Sequence, residues 1–216
     1  MALIRSVFQE ELDGVSQSLV DLSKMVSDSI NKATHALIDA ELKTAEEVIS
    51  ADEKIDTFQH ELDARIIDII ARQQPVASDL RALVTAMRMS ADLERMGDLA
   101  HHIAKVARLR HPDRAIPEAL LLPFTEMGHV AEKLSIMVAG VITTRDTEMA
   151  MQVEKDDDEM DDLHKKVIST IINEASGLSI ETAIDLTLLG RYYERYADHA
   201  VSVARRVYFL VTGTFA

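Results

Sequence analysis

The 216-residue sequence contains no cysteine, only 7 glycines and 4 prolines, and 4% aromatic residues. Without cysteine there is no disulfide, no thiol nucleophile and no Cys-ligated zinc, a usage that suits a reducing compartment. Glycine and proline this sparse exclude a sheet protein that must turn every few residues, and favour long helices joined by short connections. Basic residues are also in the minority. Lys and Arg number 23 against 37 Asp and Glu, a net charge of −14. A field of that sign repels nucleic acid, and no Lys/Arg block offsets it locally, so no nucleic-acid partner is expected. Long hydrophobic runs are missing too. The start, MALIRSVFQEELDG, has no apolar core of signal-peptide length, and no later run reaches membrane-spanning length. The expectation is a soluble, acidic, cytoplasmic protein, in contact with a membrane only through its partners.

What remains is rich in Ala, Leu, Ile, Val, Met, Glu and Asp, 47% hydrophobic in all, and long enough for one large or two small cores. Leu12, Val15, Leu19, Leu22, Val26, Ile30, Ala33 and Leu37 recur at helical spacing and predict a first helix from about Arg5 to about Ala40. Thr44 and Glu47 read as a capping box at the start of a second helix. Its stripe of Val48, Ile55, Leu62, Ile66 and Ile69 runs to about Arg72. Pro75 breaks it, and Ser78 is the expected cap of a third helix reaching about Arg110. After the linker His111-Pro112-Asp113-Arg114 the scheme repeats. A fourth helix is predicted over about Glu118–Thr143, with Pro123 kinking it or marking its regular start. A fifth covers about Thr147–Ala175, ended by Gly177, and a sixth, capped by Ser179, reaches about Leu210.

The halves also align residue by residue. Leu93-Glu94-Arg95-Met96-Gly97-Asp98-Leu99-Ala100 matches Tyr193-Glu194-Arg195-Tyr196-Ala197-Asp198-His199-Ala200, an offset of 100 residues. Asp52–Asp56 matches Asp157–Asp161 at an offset of 105, and Phe58, Leu62 and Ile66 fall on Leu163, Val167 and Ile171. A period this long, seen twice, indicates a duplicated three-helix unit rather than a solenoid. The predicted fold is all-α: two tandem antiparallel three-helix bundles, residues 1–111 and 112–216.

Each half carries an acidic pair at i, i+4 on its second helix and another on its third. The pairs are Asp52/Asp56 with Glu94/Asp98, and Asp157/Asp161 with Glu194/Asp198. That spacing puts both carboxylates on one helix face, where they repel. Carboxylates gathered from adjacent helices need protonation, Arg or Lys partners, or a cation, and hard oxygen donors favour magnesium, calcium, manganese or iron. The plain alternative is a solvated face neutralised by Arg95 or Arg195. For Asp157/Asp161 the acidic run Glu154–Glu159 supplies the spacing automatically. Recurrence at matching positions in both halves is what chance composition explains poorly. On the third helix the acids continue the stripe of Leu80, Val84, Met87 and Ala91, opposite a second apolar face of Leu93, Met96, Ala100 and Ile103. On the sixth, Tyr193, Tyr196, Ala200 and Val203 repeat that second face. One face packs within the bundle, leaving the other for a partner or a second subunit.

At these residues the chain resembles the PhoU family of phosphate-specific transport system accessory proteins. Glu94–Ala100 and Arg191–Ala200 are similar to that family's paired E-R-hydrophobic-G-D stretches, and Met127-Gly128-His129-Val130-Ala131 to a further one. The likeness spans nearly the whole chain. Ala197 stands in place of the glycine, His102 and Ser202 where asparagine is frequent, and Lys105 and Arg205 where an acid is frequent. The resemblance implies a cytoplasmic, non-enzymatic regulator of phosphate uptake and phosphate-starvation signalling. It further implies contact with the phosphate transporter's ATPase subunit and with a sensor histidine kinase; the homodimer is expected instead from the second apolar face, which can serve a copy of the chain or a partner. Iron, manganese or magnesium is implied on Asp52, Asp56, Glu94, Asp98, Asp157, Asp161, Glu194 and Asp198.

Three rival chemistries have weaker support in the residues. A carboxylate-bridged di-iron oxidase uses two Glu-x-x-His motifs. Glu126-x-x-His129 occurs once, and Asp161-x-x-His164 is a loose substitute. Phosphotransfer through His101, His102 or His199 lacks a surrounding motif, and no Gly-x-Ser-x-Gly or phosphate-cradling loop suggests a hydrolase. A helical adaptor that assigns the carboxylates no ligand is the serious alternative.

Overall fold

The computed structural model describes residues 2–174 and 177–214, with side chains described over 7–173 and 177–214. Six helices account for nearly all of them: α1 (Ala2–Asp39), α2 (Leu42–Gln73), α3 (Ser78–Arg110), α4 (Glu118–Thr144), α5 (Thr147–Glu174) and α6 (Ile180–Thr212). No described helix is long and apolar enough to cross a membrane.

The helices form because their apolar residues repeat at helical spacing, and the connections show why they stop. Ala40 adopts a left-handed φ of 55°, and Glu41 N donates back to Ala36 O at 3.1 Å, closing α1 as a Schellman turn. Gln74 takes the same region immediately before Pro75. The expected capping box does not form. Thr44 lies inside α2 and its hydroxyl donates to Glu41 Oε2 at 2.7 Å, because helical geometry begins two residues earlier, at Leu42. Ser78 does not cap α3 either; the N-cap is Ala77, at φ 51°. Ser179 caps α6 as expected, accepting from Thr182 N at 3.0 Å. A cap not anticipated is Asp146, whose Oδ1 accepts from Glu148 N and Met149 N at the start of α5. Pro123 sits inside α4. The expected last residue of α5, Ala175, lies outside the described residues.

α1, α2 and α3 pack on one another, as do α4, α5 and α6; the two bundles meet through α1 against α4 and α3 against α6. The inward stripes anticipated for α1 and α2 are buried, apart from a half-buried Leu12. Leu93, Met96, Ala100 and Ile103 of α3, and Tyr193, Tyr196, Ala200 and Val203 of α6, are all fully buried. The two tyrosines keep their hydroxyls satisfied. Tyr193 shares a 2.8 Å hydrogen bond with Thr34, and Tyr196 pairs with Ser135. Burial pushes both phenols far above their ordinary range.

Close helix approach depends on small residues at two points. A Cβ on Gly128 of α4 would lie 2.3 Å from Thr34 Cγ2 of α1. One on Gly97 of α3 would lie 3.1 Å from Ile55 Cγ2 of α2. In the second half Ala197 replaces that glycine, and Met160 stands where the first half has Ile55. A flexible methionine yields where a β-branched isoleucine does not. Outside the core, Leu80 and Val84 of α3 are exposed, as are Ile180 and Ile184, their counterparts on α6. Ile67 of α2 and Ile172 of α5, 105 residues apart, are exposed as well. The solvent-side apolar face expected on α3 is therefore present, and the duplication repeats it.

Candidate metal centre

In the first bundle, α2 and α3 lie side by side, so the i, i+4 pair on α2 faces the acids of α3. Asp52, Asp56 and Asp98 each offer a carboxylate oxygen, all within 4.8 Å of one another. Among the described residues this is the one such convergence of three ligand-type side chains. Burial, then the charges of Asp52 and Asp98, push the Asp56 carboxyl above its ordinary value. Glu94 lies outside the group of three but feels the same field. Its pKa is raised first by burial, then by Asp98, with Arg95 opposing and Asp56 and Asp52 adding.

Two of these acids have protein partners. Asp98 forms an ion pair with Arg95, one turn away on its own helix. Asp52 Oδ2 bonds to Nδ1 of His101, a helix apart and mostly buried. Asp52 Oδ1 and His101 Nε2 are buried with no hydrogen-bond partner. A buried carboxylate oxygen without a donor is costly, and the Asp56 and Glu94 carboxyls are both pushed up by burial and by the neighbouring acids. Oxygen donors of this kind fit a hard divalent cation, with His101 orienting Asp52 from behind.

The second bundle assembles its four acids differently. Asp157 and Asp161 of α5 and Glu194 and Asp198 of α6 interact electrostatically, but three of their oxygens do not converge within 4.8 Å. Burial, then Asp161 and Asp198, push Asp157 up to about 6. Glu194 is raised by burial and Asp198, with Arg191 and His164 opposing. Its ion-pair partner is Arg191, one turn earlier on α6, rather than the adjacent Arg195. Glu194 Oε2 is buried and unpartnered. The position equivalent to His101 is Val201, and the imidazole that acts on this group, His164, comes from α5 instead. Arg205, standing where an acid is frequent in the resembled family, pairs instead with Glu154 of α5.

Of the histidines considered for other chemistries, His101 belongs to the first acidic group, and the rest have other surroundings. His129 is exposed on α4, in a groove with Asn31 and Glu132, and neither it nor His164 joins a three-ligand group among the described residues. His102 stacks on Tyr192 of α6 with ring centroids 5.3 Å apart. His199 Nδ1 lies 3.1 Å from Asp92 Oδ1, and Asp92 Oδ2 accepts from Arg206 Nε at 2.7 Å. Burial favours the neutral form of Asp92, but the bonds from His199 and Arg206 outweigh it and hold the carboxyl below its ordinary value. This pin joins α3 to α6 across the two bundles. Its residues lie up to 114 positions apart, and helical spacing carries no signal of such a pairing.

Residues 19–107 and 124–207 each match the PhoU domain. Over 98% of this chain and the whole length of the relative, the sequence is 43% identical to a Mycobacterium tuberculosis protein named phosphate-specific transport system accessory protein PhoU homolog 2. It is 42% identical to a Mycobacterium leprae protein named PhoU homolog 1, over 98% of this chain and 96% of that one. The crystal structure of PhoU from Pseudomonas aeruginosa superposes with a TM-score of 0.85 at 27% identity, covering 96% of this chain and all of that one.

Proposed function

The chain belongs to the PhoU family, and we propose that it is a non-enzymatic regulator of phosphate uptake and phosphate-starvation signalling whose acidic clusters hold cations. The observation that carries the cation reading is the convergence of Asp52, Asp56 and Asp98, together with a buried Asp52 carboxylate oxygen that has no hydrogen-bond partner. Those three residues, flanked by Glu94, form the first-bundle site. Asp157, Asp161, Glu194 and Asp198 form the second. Magnesium, manganese or iron(II) supplies the positive charge that the crowded carboxylates lack. The protein's part is to hold Asp52 through His101, to bring α2 against α3, and to exclude water from Asp52 Oδ1.

Its partners are the phosphate transporter's ATPase subunit and a sensor histidine kinase. In support, the named relatives are accessory proteins of phosphate-specific transport systems. The protein acts in the cytoplasm as a homodimer, whose docking faces include the repeated exposed residues of α3 and α6. Cation occupancy biases which face is presented, restraining kinase output when phosphate is plentiful. The test compares wild type with D52N/D56N/D98N, purified without chelator. Bound metal is quantified, and both partners are captured with and without EDTA. Metal and capture should fall together in the variant and in EDTA. Retention of both partners without metal would overturn the cation reading in favour of a helical adaptor. That second reading draws support from the Arg95–Asp98 and Arg191–Glu194 ion pairs, which neutralise one acid in each half without a ligand.

A further inference from the structure

The tandem halves close the seam between their bundles unequally. At one end of the α3–α6 contact, Arg110 Nε donates to Asp185 Oδ2 at 2.5 Å and the same guanidinium pairs with Glu181. Asp185 is 7% exposed, so the Arg110–Asp185 half of this clamp is largely withdrawn from water, while Glu181 is exposed. The 100-residue offset maps Arg110 onto Leu210, Asp185 onto Thr85 and Glu181 onto Arg81. At the equivalent opposite end an apolar side chain therefore replaces the cation, and a cation replaces an acid. The clamp cannot form there.

That end holds a cavity of about 480 Å³ instead, enclosed by α1, α3, α4 and α6. Leu19, Leu83 and Val207 line it and are almost fully buried, with Leu210 beside them. Among the described residues the charged groups around it are Arg81, Arg145 and Asp79, and its other polar linings, Gln9, Ser16 and Ser78, are neutral. Arg81 and Arg145 are exposed, so they stand at the mouth while the hydrocarbon wall lies inside. The Arg81 guanidinium rests over the Phe209 ring, 5.4 Å from its centroid. Neither arginine forms an ion pair among the described residues. On a chain of net charge −14, two guanidinium groups without an ion pair beside one acid mark this mouth as locally positive.

We propose that this inter-bundle cavity binds a long-chain carboxylate, with the acyl chain among Leu19, Leu83, Val207 and Leu210 and the carboxylate between Arg81 and Arg145. The volume falls within the range of small-molecule sites. Apart from Gln9, Ser16 and Ser78 the uncharged wall is hydrocarbon, and an acyl chain gains by leaving water for it. Guanidinium groups recognise carboxylate through paired N–H donors, which selects an acid over the alcohol of the same chain length.

The test uses the full chain with dansyl-undecanoate as the fluorescent probe, displaced by oleate, by oleyl alcohol or by acetate at physiological salt. Oleate should displace the probe saturably at one site per chain, oleyl alcohol should do so at least about tenfold less well, and acetate should not compete. R81Q/R145Q should lose about that same factor for oleate and leave the alcohol unchanged. Ala82, half-buried in the lining, is replaced by Phe to fill the volume; A82F should lose both ligands while keeping its helical circular dichroism. Should A82F fail to fold, the arginine variant decides alone, since both its substitutions are at exposed positions. Absence of saturable displacement from wild type would overturn the proposal. So would equal affinity for acid and alcohol, or an R81Q/R145Q variant with unaltered oleate affinity.

Discussion

Asp157 offers a sharp test of whether the acidic clusters are kept at a cost to stability. Its carboxyl is pushed from an ordinary 3.8 up to about 6 by burial and by the charges of Asp161 and Asp198. The folded state therefore holds this proton more tightly than the unfolded chain does. Below pH 3.8 both states are protonated and the group contributes no penalty. Between about pH 4 and 6 the unfolded state has released its proton and the folded state resists doing so, so stability falls as pH rises. Above 6 the full penalty persists. In a dry site a shift of this size corresponds to about 3 kcal/mol; Asp157 is only half-buried, and solvent screening reduces the expectation to about 1 kcal/mol.

D157N keeps the shape of the protonated acid and removes the charge. In EDTA at pH 7.5 the variant should be more stable than wild type by about 1 kcal/mol, measured by urea unfolding. Its stability should also fall less steeply between pH 4 and 6. Saturating manganese should reverse the order, because a ligand that binds only the folded, ionised site stabilises wild type by mass action. A variant less stable than wild type in EDTA, or one with an unchanged pH slope, would refute the argument that uncompensated repulsion resides at this residue.

The remaining expectations concern packing and helix ends. G128A places a methyl against Thr34 and disturbs its bond to buried Tyr193; overpacking outweighs the helix-propensity gain, for a net loss of about 1–3 kcal/mol by thermal unfolding. D185A leaves the Arg110 guanidinium with only Glu181, which is exposed. It should cost about 2–3 kcal/mol in urea, below the value for a fully buried pair because Arg110 retains a partner. S179A removes the acceptor for Thr182 N and should lower stability by about 1 kcal/mol.

The helices were legible because burial along a regular rod leaves a periodic trace. All of the inward positions anticipated on α1 and α2 are buried but half-buried Leu12, and the helix boundaries lie within a few residues of those expected. Caps were less legible, since several polar residues near each start compete to accept the free N–H groups. Thr44 and Ser78 had the right chemistry but fell one or more residues inside the helix. Asp146 carries the same signal, an acceptor just before Thr147, and is the residue that caps α5. The tandem duplication and the acidic pairs could be read from self-alignment. The contacts that join the bundles could not. The Asp92–His199–Arg206 pin and the Arg110 clamp connect residues far apart in sequence, and neither set of charges recurs at the matching positions of the other half to draw attention to it.

Equal spacing in the two halves does not yield equal sites. The acids of α2 and α5 occupy corresponding turns, yet three oxygens converge only in the first half. Two local differences account for this. On α3 the neutralising arginine follows its glutamate and takes Asp98, whereas on α6 Arg191 precedes and takes Glu194, leaving a different member of each pair uncommitted. His101 then fixes Asp52 from behind in the first bundle, while Val201 fixes nothing at the matching position. Spacing sets which side chains share a face; the choice among their rotamers is made by the arginine one turn away or the imidazole on the facing helix. Duplication therefore supplied two acidic surfaces, and divergence at positions 101 and 201 and in the placement of the paired arginine made the first the more organised of the two.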